Sequence, residues 1–85
     1  MIINITDTLT YDTDKKFDEQ EWETQEYLYC VMEREPDRTE YDDFNRPYRQ
    51  FWNVNGNSLI CTWVYLRPEP DWVLKEQIYS MEEGF

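Results

Sequence analysis

Hydrophobic and polar positions alternate in short, uneven stretches along this chain. Ile2, Ile3 and Ile5, then Leu9, lie among threonines, a pattern that predicts a β-strand over residues 2–10. Asp12-Thr13-Asp14 supplies two helix-capping candidates, and from Lys16 the chain is rich in Glu, Gln and long apolar residues up to Glu35, where Pro36 marks a stop. Phe17, Glu21, Thr24, Leu28 and Val31 recur at i, i+4, i+7, which predicts a helix over about 15–34. The competing reading is a strand over Glu26–Glu33, because Tyr27, Tyr29 and Val31 alternate with Leu28, Cys30 and Met32. Residues 37–46 read as a short helical turn or loop, with Tyr41 and Phe44 at i, i+3 and Pro47 closing it.

The clearest local signal is Asn55-Gly56 between Arg49–Val54 and Asn57–Leu66. A type I′ turn needs φ > 0 at both central residues, so Asn-Gly between two β-prone runs predicts a hairpin. Arg67-Pro68-Glu69-Pro70 ends its second strand. Leu74, Ile78 and Met81 then stand at i, i+4, i+7, which suits a short amphipathic helix over 71–82, with a strand over Trp72–Tyr79 as the alternative. The expected fold is α+β: a small antiparallel sheet of about three strands, containing the Asn-Gly hairpin, packed against one or two helices. The hairpin and residues 71–82 are expected to supply most of the core.

Composition changes this picture in two ways. The 85 residues form one domain, 1–85, with a thin stability margin. Leu, Ile, Val and Phe are scarce for so charged a chain, but four Trp, seven Tyr and four Phe supply large rings, so a folded domain is expected rather than an acidic tail. Phe17, Trp22, Tyr27, Tyr41 and Phe44 are assigned to that core, with one or two of them left as surface anchors. Cys30 and Cys61 both sit in apolar runs and read as buried, reduced thiols. With no basic, apolar leader at Met1–Thr10 and no run near the ~20 residues of a spanning helix, the expected location is the cytoplasm.

Charge is the second change. Nineteen acidic and eight basic residues give −11, with no histidine. Residues 1–45 hold 14 acids and 4 bases, and residues 46–85 hold 5 acids and 4 bases, so the first half carries −10. This field excludes direct nucleic-acid binding and adsorption to an anionic membrane. Absence of histidine removes most metal, triad and general-base arrangements, and glycine only at 56 and 84 forbids a phosphate loop. Asp12-x-Asp14 begins like a calcium loop, but Lys16 takes a ligand position and Phe17 stands where glycine belongs, although Glu23 fills the twelfth place. No cofactor and no catalytic residue are assigned.

The acidic surface remains. On the expected helix, Asp14, Asp18 and Glu21, and Glu19, Glu23 and Glu26, form rows at i, i+4, i+7. A step of four residues is about 6 Å along a helix axis, against about 3.4 Å between successive phosphates of one DNA strand. Asp12 stands before these rows, and Glu33, Glu35, Asp37, Glu40, Asp42 and Asp43 extend them beyond Pro36. Like charges at i, i+4 oppose folding by about 0.2–0.5 kcal/mol per pair, which a small domain has no need of unless the field serves a partner. The commonest basic partners are nucleic-acid-binding clefts, so these thirteen carboxylates are candidate phosphate mimics. The bland reading, a solvated face that keeps the chain soluble, stands beside it. An acidic adaptor docking on a basic protein surface is the second functional reading.

The opening Met1-Ile2-Ile3-Asn4-Ile5-Thr6-Asp7, the acidic middle and the size resemble the Arn-like anti-restriction proteins of T-even phages, a group of DNA mimics. The resemblance implies a homodimer acting in the host cell. It also implies inhibition of a modification-dependent restriction endonuclease such as McrBC, by occupation of its DNA-binding site. A nucleoid protein is the other basic target class considered. The resemblance implies no catalysis.

Overall fold

Asn55 and Gly56 turn the chain as their sequence predicts. Both have positive φ, 53° and 79°, and the Asn53 side chain accepts a 2.9 Å hydrogen bond from the Gly56 amide. In this computed structural model, which describes residues 1–68 and 73–85, the turn joins β4 (Pro47–Val54) to β5 (Asn57–Tyr65). The preceding strand β3 (Arg38–Tyr41) lies against β4, and β6 (Leu74–Glu82) lies against β5. All are antiparallel, in the order β3-β4-β5-β6. A two-stranded ribbon of β1 (Ile2–Asn4) and β2 (Thr10–Asp12) and one helix, α1 (Trp22–Val31), complete an α+β fold.

Several local expectations are corrected. The single strand over 2–10 is two strands around a tight turn. Thr6 Oγ1 accepts from the amides of Thr8 and Leu9, and the Ile5 amide donates to the Leu9 carbonyl. The helix begins at Trp22 rather than 15, after a single 3-10 turn at Phe17–Glu19. Gln20 is the physical reason. It is buried, extended, and its side-chain amide hydrogen-bonds both backbone groups of Asp12 and the carbonyls of Lys15 and Lys16. Those backbone groups are satisfied by a side chain, so no helical ladder forms there. The strand reading for Glu26–Glu33 fails, since residues through Val31 are helical with Thr24 and Leu28 turned inward.

Residues 37–46 are a strand and a hairpin turn rather than a helical turn. Asp42 Oδ1 accepts from the amides of Phe44 and Arg46, and Asn45 takes φ 62°, so the turn is closed by one carboxylate. Pro47 opens β4, where a first strand residue has no need of a donor. The helix expected over 71–82 is instead β6, close to the alternative strand reading. Residues 69–72, which carry part of that reading and the Glu69-Pro70 stop, lie outside the described residues.

The core is also more evenly drawn than expected. Ile3, Ile5, Tyr11, Phe17 and Leu28 from the first half meet Trp52, Val54, Leu59, Cys61 and Met81 from the sheet. Full burial of an aliphatic side chain such as Leu28 or Leu59 is worth roughly 1.5–3 kcal/mol. Thr24 Oγ1 donates to the Thr10 carbonyl at 3.0 Å and fixes α1 to the ribbon. Of the five aromatics assigned to the core only Phe17 is buried; Trp22, Tyr27, Tyr41 and Phe44 are exposed. Cys61 is buried and Cys30 exposed, both as free thiols.

The sheet has a second face. Phe51 and Ile60 are buried but lie outside the main cluster. The Arg38 guanidinium covers the Phe51 ring at 4.0 Å and Arg49 approaches it at 5.6 Å. Glu40 holds both arginines, at 3.9 Å and 2.8 Å.

Candidate functional site

The thirteen candidate carboxylates divide into those the fold uses and those it leaves to solvent. Asp12 and Asp14 pair with the Met1 ammonium at 3.6 Å and 2.8 Å. The hydrogen bond from that amine to Asp14 raises the amine above its ordinary value. Glu19 accepts from the Lys16 amide. Asp37 receives the Asn53 amide at 2.7 Å, and Glu40 pairs with Arg49 and Arg38. That pairing with Glu40 raises Arg49 further above its ordinary value.

Asp42 is the most committed. Its Oδ2 meets Arg46 Nε at 2.8 Å, and the Arg46 side chain is almost wholly buried. The guanidinium stacks on the Tyr65 ring at 4.0 Å, and the Tyr65 hydroxyl donates to the Pro47 carbonyl. Burial pushes the Asp42 carboxyl upward, but hydrogen bonds from Arg46 and Phe44 outweigh it and hold the group below the usual carboxylate range. Asp42 is a clamp for the β3–β4 hairpin.

Asp18, Glu21, Glu23, Glu26, Glu33, Glu35 and Asp43 are different. All seven are exposed, and none of their side chains makes a hydrogen bond or ion pair with a described residue. Glu21 caps α1 by position, Glu23 lies in its first turn, and Glu26 follows one turn on. Because α1 starts at Trp22, the two expected helical rows do not form. Only Glu23 and Glu26 share a helix, at i, i+3, and Asp14, Asp18, Glu19 and Glu21 come from the turns before it. Much of the self-repulsion expected of two continuous rows is therefore absent.

The basic residues do little to offset this surface. Arg34 donates to the Asn53 carbonyl at 2.7 Å, and Arg38, Arg46 and Arg49 are held by Glu40 and Asp42. The molecule measures 43 × 23 × 22 Å, so its 11 net charges along the 43 Å axis average one per about 4 Å. Duplex DNA carries one per about 1.7 Å and a single strand one per about 3.4 Å. One copy therefore approaches the axial charge of one phosphate row.

Trp22 takes the surface-anchor place that the sequence leaves open among five aromatics. It is 71% exposed at the first position of α1, between Glu21 and Glu23 and one turn before Glu26. Its signal in the sequence is its place between two acids and off the Thr24–Leu28 stripe, while its position at N1 emerges only with the fold. Asp7, Glu76, Glu82 and Glu83 are further exposed acids outside the candidate set. Among the described residues no three His, Cys, Asp or Glu side chains converge as metal ligands, and no helix is long and apolar enough to cross a membrane. No family model, curated protein or solved structure matches the chain.

Proposed function

We propose that this protein is a DNA-mimic inhibitor: it occupies the DNA-binding site of a basic host protein, presenting carboxylates where DNA presents phosphates. The observation that carries the reading is the division of charge. Seven exposed carboxylates have no partner among the described residues, while Arg38, Arg46 and Arg49 are held in ion pairs elsewhere. A restriction endonuclease is the target class the resemblance to anti-restriction proteins implies, and a nucleoid protein has the same kind of basic cleft. The resemblance also implies a homodimer. Two copies side by side bring the array to about one charge per 2 Å, near the duplex value of about 1.7 Å.

The test is displacement. Labelled duplex DNA bound to a modification-dependent restriction endonuclease is titrated with the protein and followed by fluorescence anisotropy. Competitive release that weakens steeply with added salt is expected. Binding to the endonuclease without release of DNA would reject mimicry.

Exposed Trp22 favours a second reading, an acidic adaptor. DNA presents no indole to a phosphate-binding cleft, whereas an exposed Trp among carboxylates suits an arginine-bearing protein surface. Binding without DNA release, lost on Trp22→Ala, is the result that reading expects.

A further inference from the structure

α1 covers only part of the core-facing side of the sheet. Trp52 of β4, Cys61 and Trp63 of β5, and Gln77 and Tyr79 of β6 lie on the same side as the core residues Leu59 and Met81, by the alternation of each strand and the register between them. The helix ends at Val31, and beyond its end this side opens as a cavity of about 290 Å³ bordered by Met32, Glu33, Arg34 and Pro36. Four rings line it: Tyr29, Trp52, Trp63 and Tyr79. Tyr29 and Tyr79 are set nearly at right angles, 82°, with centroids 5.9 Å apart. Gln50 Oε1 accepts the Trp63 indole N–H at 3.1 Å and Gln77 Oε1 the Tyr79 hydroxyl at 3.3 Å, so these two rings are fixed before anything binds. Glu33 is exposed and pairs with no described residue, and α1 has no basic residue in its last turn to offset the negative end of the helix dipole. The Arg34 guanidinium donates to the Asn53 carbonyl at 2.7 Å and stacks on no described ring.

We infer that this cavity takes the guanidinium of an arginine side chain from a partner protein, stacked on its rings and paired with Glu33. Rings with a carboxylate beside them are how this chain holds its own guanidiniums: Arg46 on Tyr65 with Asp42, and Arg38 on Phe51 with Glu40. Guanidinium is favoured over ammonium because it is planar and weakly hydrated, and stacks while giving two parallel hydrogen bonds to a carboxylate. The volume lies at the small end of the about 300–1,000 Å³ of ligand sites, which suits one side chain rather than a larger molecule. The inference rests on the proposed function for its partner, because a phosphate-binding cleft is where arginines gather. The binding itself is testable on the isolated protein.

N-acetylarginine amide is titrated into the protein and followed by the indole N–H resonances in NMR. Weak but saturable binding is expected, with the Trp63 resonance moving and that of Trp22 still. The lysine analogue binds about twofold or more weaker, and the uncharged citrulline analogue weaker again. Tyr29→Leu removes an exposed ring and Glu33→Gln the charge, and each weakens binding about twofold or more. Tyr41→Ser, which removes an exposed ring outside the cavity, leaves it unchanged. No saturable shift at Trp63, equal affinity for the lysine or citrulline analogue, or indifference to both Tyr29→Leu and Glu33→Gln would overturn the inference. Tighter binding of the trimethyllysine amide would make this a quaternary-ammonium site, and the assignment to arginine is then wrong. Tyr29→Leu alters no charge, so in the DNA-displacement assay it should weaken competition by a similar factor; unchanged competition would remove the partner's arginine from the cavity. Arginine binding by a protein that releases no DNA would reject mimicry and leave the site standing, so the two readings fail separately.

Discussion

Glu21 at the N-cap of α1 and Glu26 within the helix, five residues on, should respond to neutralisation with opposite signs. Glu21 precedes the first helical residue, where the helix dipole favours negative charge by about 0.3–1 kcal/mol at an exposed site. Residues 24 and 25, its i+3 and i+4 neighbours, are Thr and Gln, so Glu21→Gln relieves no repulsion within the helix. Glu26 lies beyond the first turn and faces Glu23 at i, i+3, so Glu26→Gln relieves about 0.2–0.5 kcal/mol of repulsion and gives up little dipole energy. At about 4–8 °C per kcal/mol for a domain of this size, Glu21→Gln should lower the melting temperature by roughly 1–8 °C and Glu26→Gln raise it by roughly 1–4 °C. The assay is thermal denaturation by circular dichroism at low ionic strength, repeated at high salt, where both shifts should shrink. On the proposed function, both variants bind the basic partner more weakly although their stabilities move apart. If both substitutions raise the melting temperature, the acids repel one another as in a longer helix, and the argument from a start at Trp22 is refuted.

Other predictions follow from the hairpin clamp and the thiols. The Asp42 carboxyl is held below its ordinary range, so its contribution is present above the unfolded carboxylate pKa and is lost as pH falls through the lower folded value. Asp42→Asn should therefore lower the melting temperature at neutral pH, with the difference from wild type narrowing in acid. Burial pushes the Cys61 thiol up to about 11, with a hydrogen bond from Trp63 acting in the opposite direction, so stability should decline as pH rises from about 9 towards that value. Cys61→Val should flatten that decline in alkaline melts. At mildly alkaline pH a thiol reagent should modify Cys30 rapidly and Cys61 only on unfolding, and two equally fast thiols would contradict the burial of Cys61.

The parts legible in the sequence were those with a strictly local cause. Asn55-Gly56 needs only its own backbone preferences, and the inward stripe of Thr24, Leu28 and Val31 holds although the helix around it is shorter. The helix start was not legible, because it depends on Gln20 reaching back to Asp12, eight residues away. Leu74, Ile78 and Met81 match helical spacing by coincidence. In β6 the register shifts between Glu76 and Leu74, so Leu74 falls on the face of Met81 and Ile78 on the other, and a largely exposed edge strand has too few buried positions to reveal its alternation. For the candidate site, composition located the acidic half but not which acids are occupied. Asp42 and Glu40 look like Glu33 and Glu35 in sequence, and only folding brings Arg46 and Arg49 to the first pair.

The apolar outer face of the sheet is covered by Arg38 and Arg49, and this cover has a consequence for how the molecule moves in a field. The two guanidiniums are stacked over Phe51 and tied to Glu40, on the side of the sheet away from the Leu28–Leu59 core. They cannot swing round to neutralise Glu23 or Glu26 on α1. The chain therefore carries a separation of charge as well as a surplus, an electric dipole fixed by packing. A basic surface exerts a torque on such a body as well as a pull, so it turns α1 toward the surface before contact. Neutral replacement of either arginine would alter that preferred orientation without touching the acidic face itself.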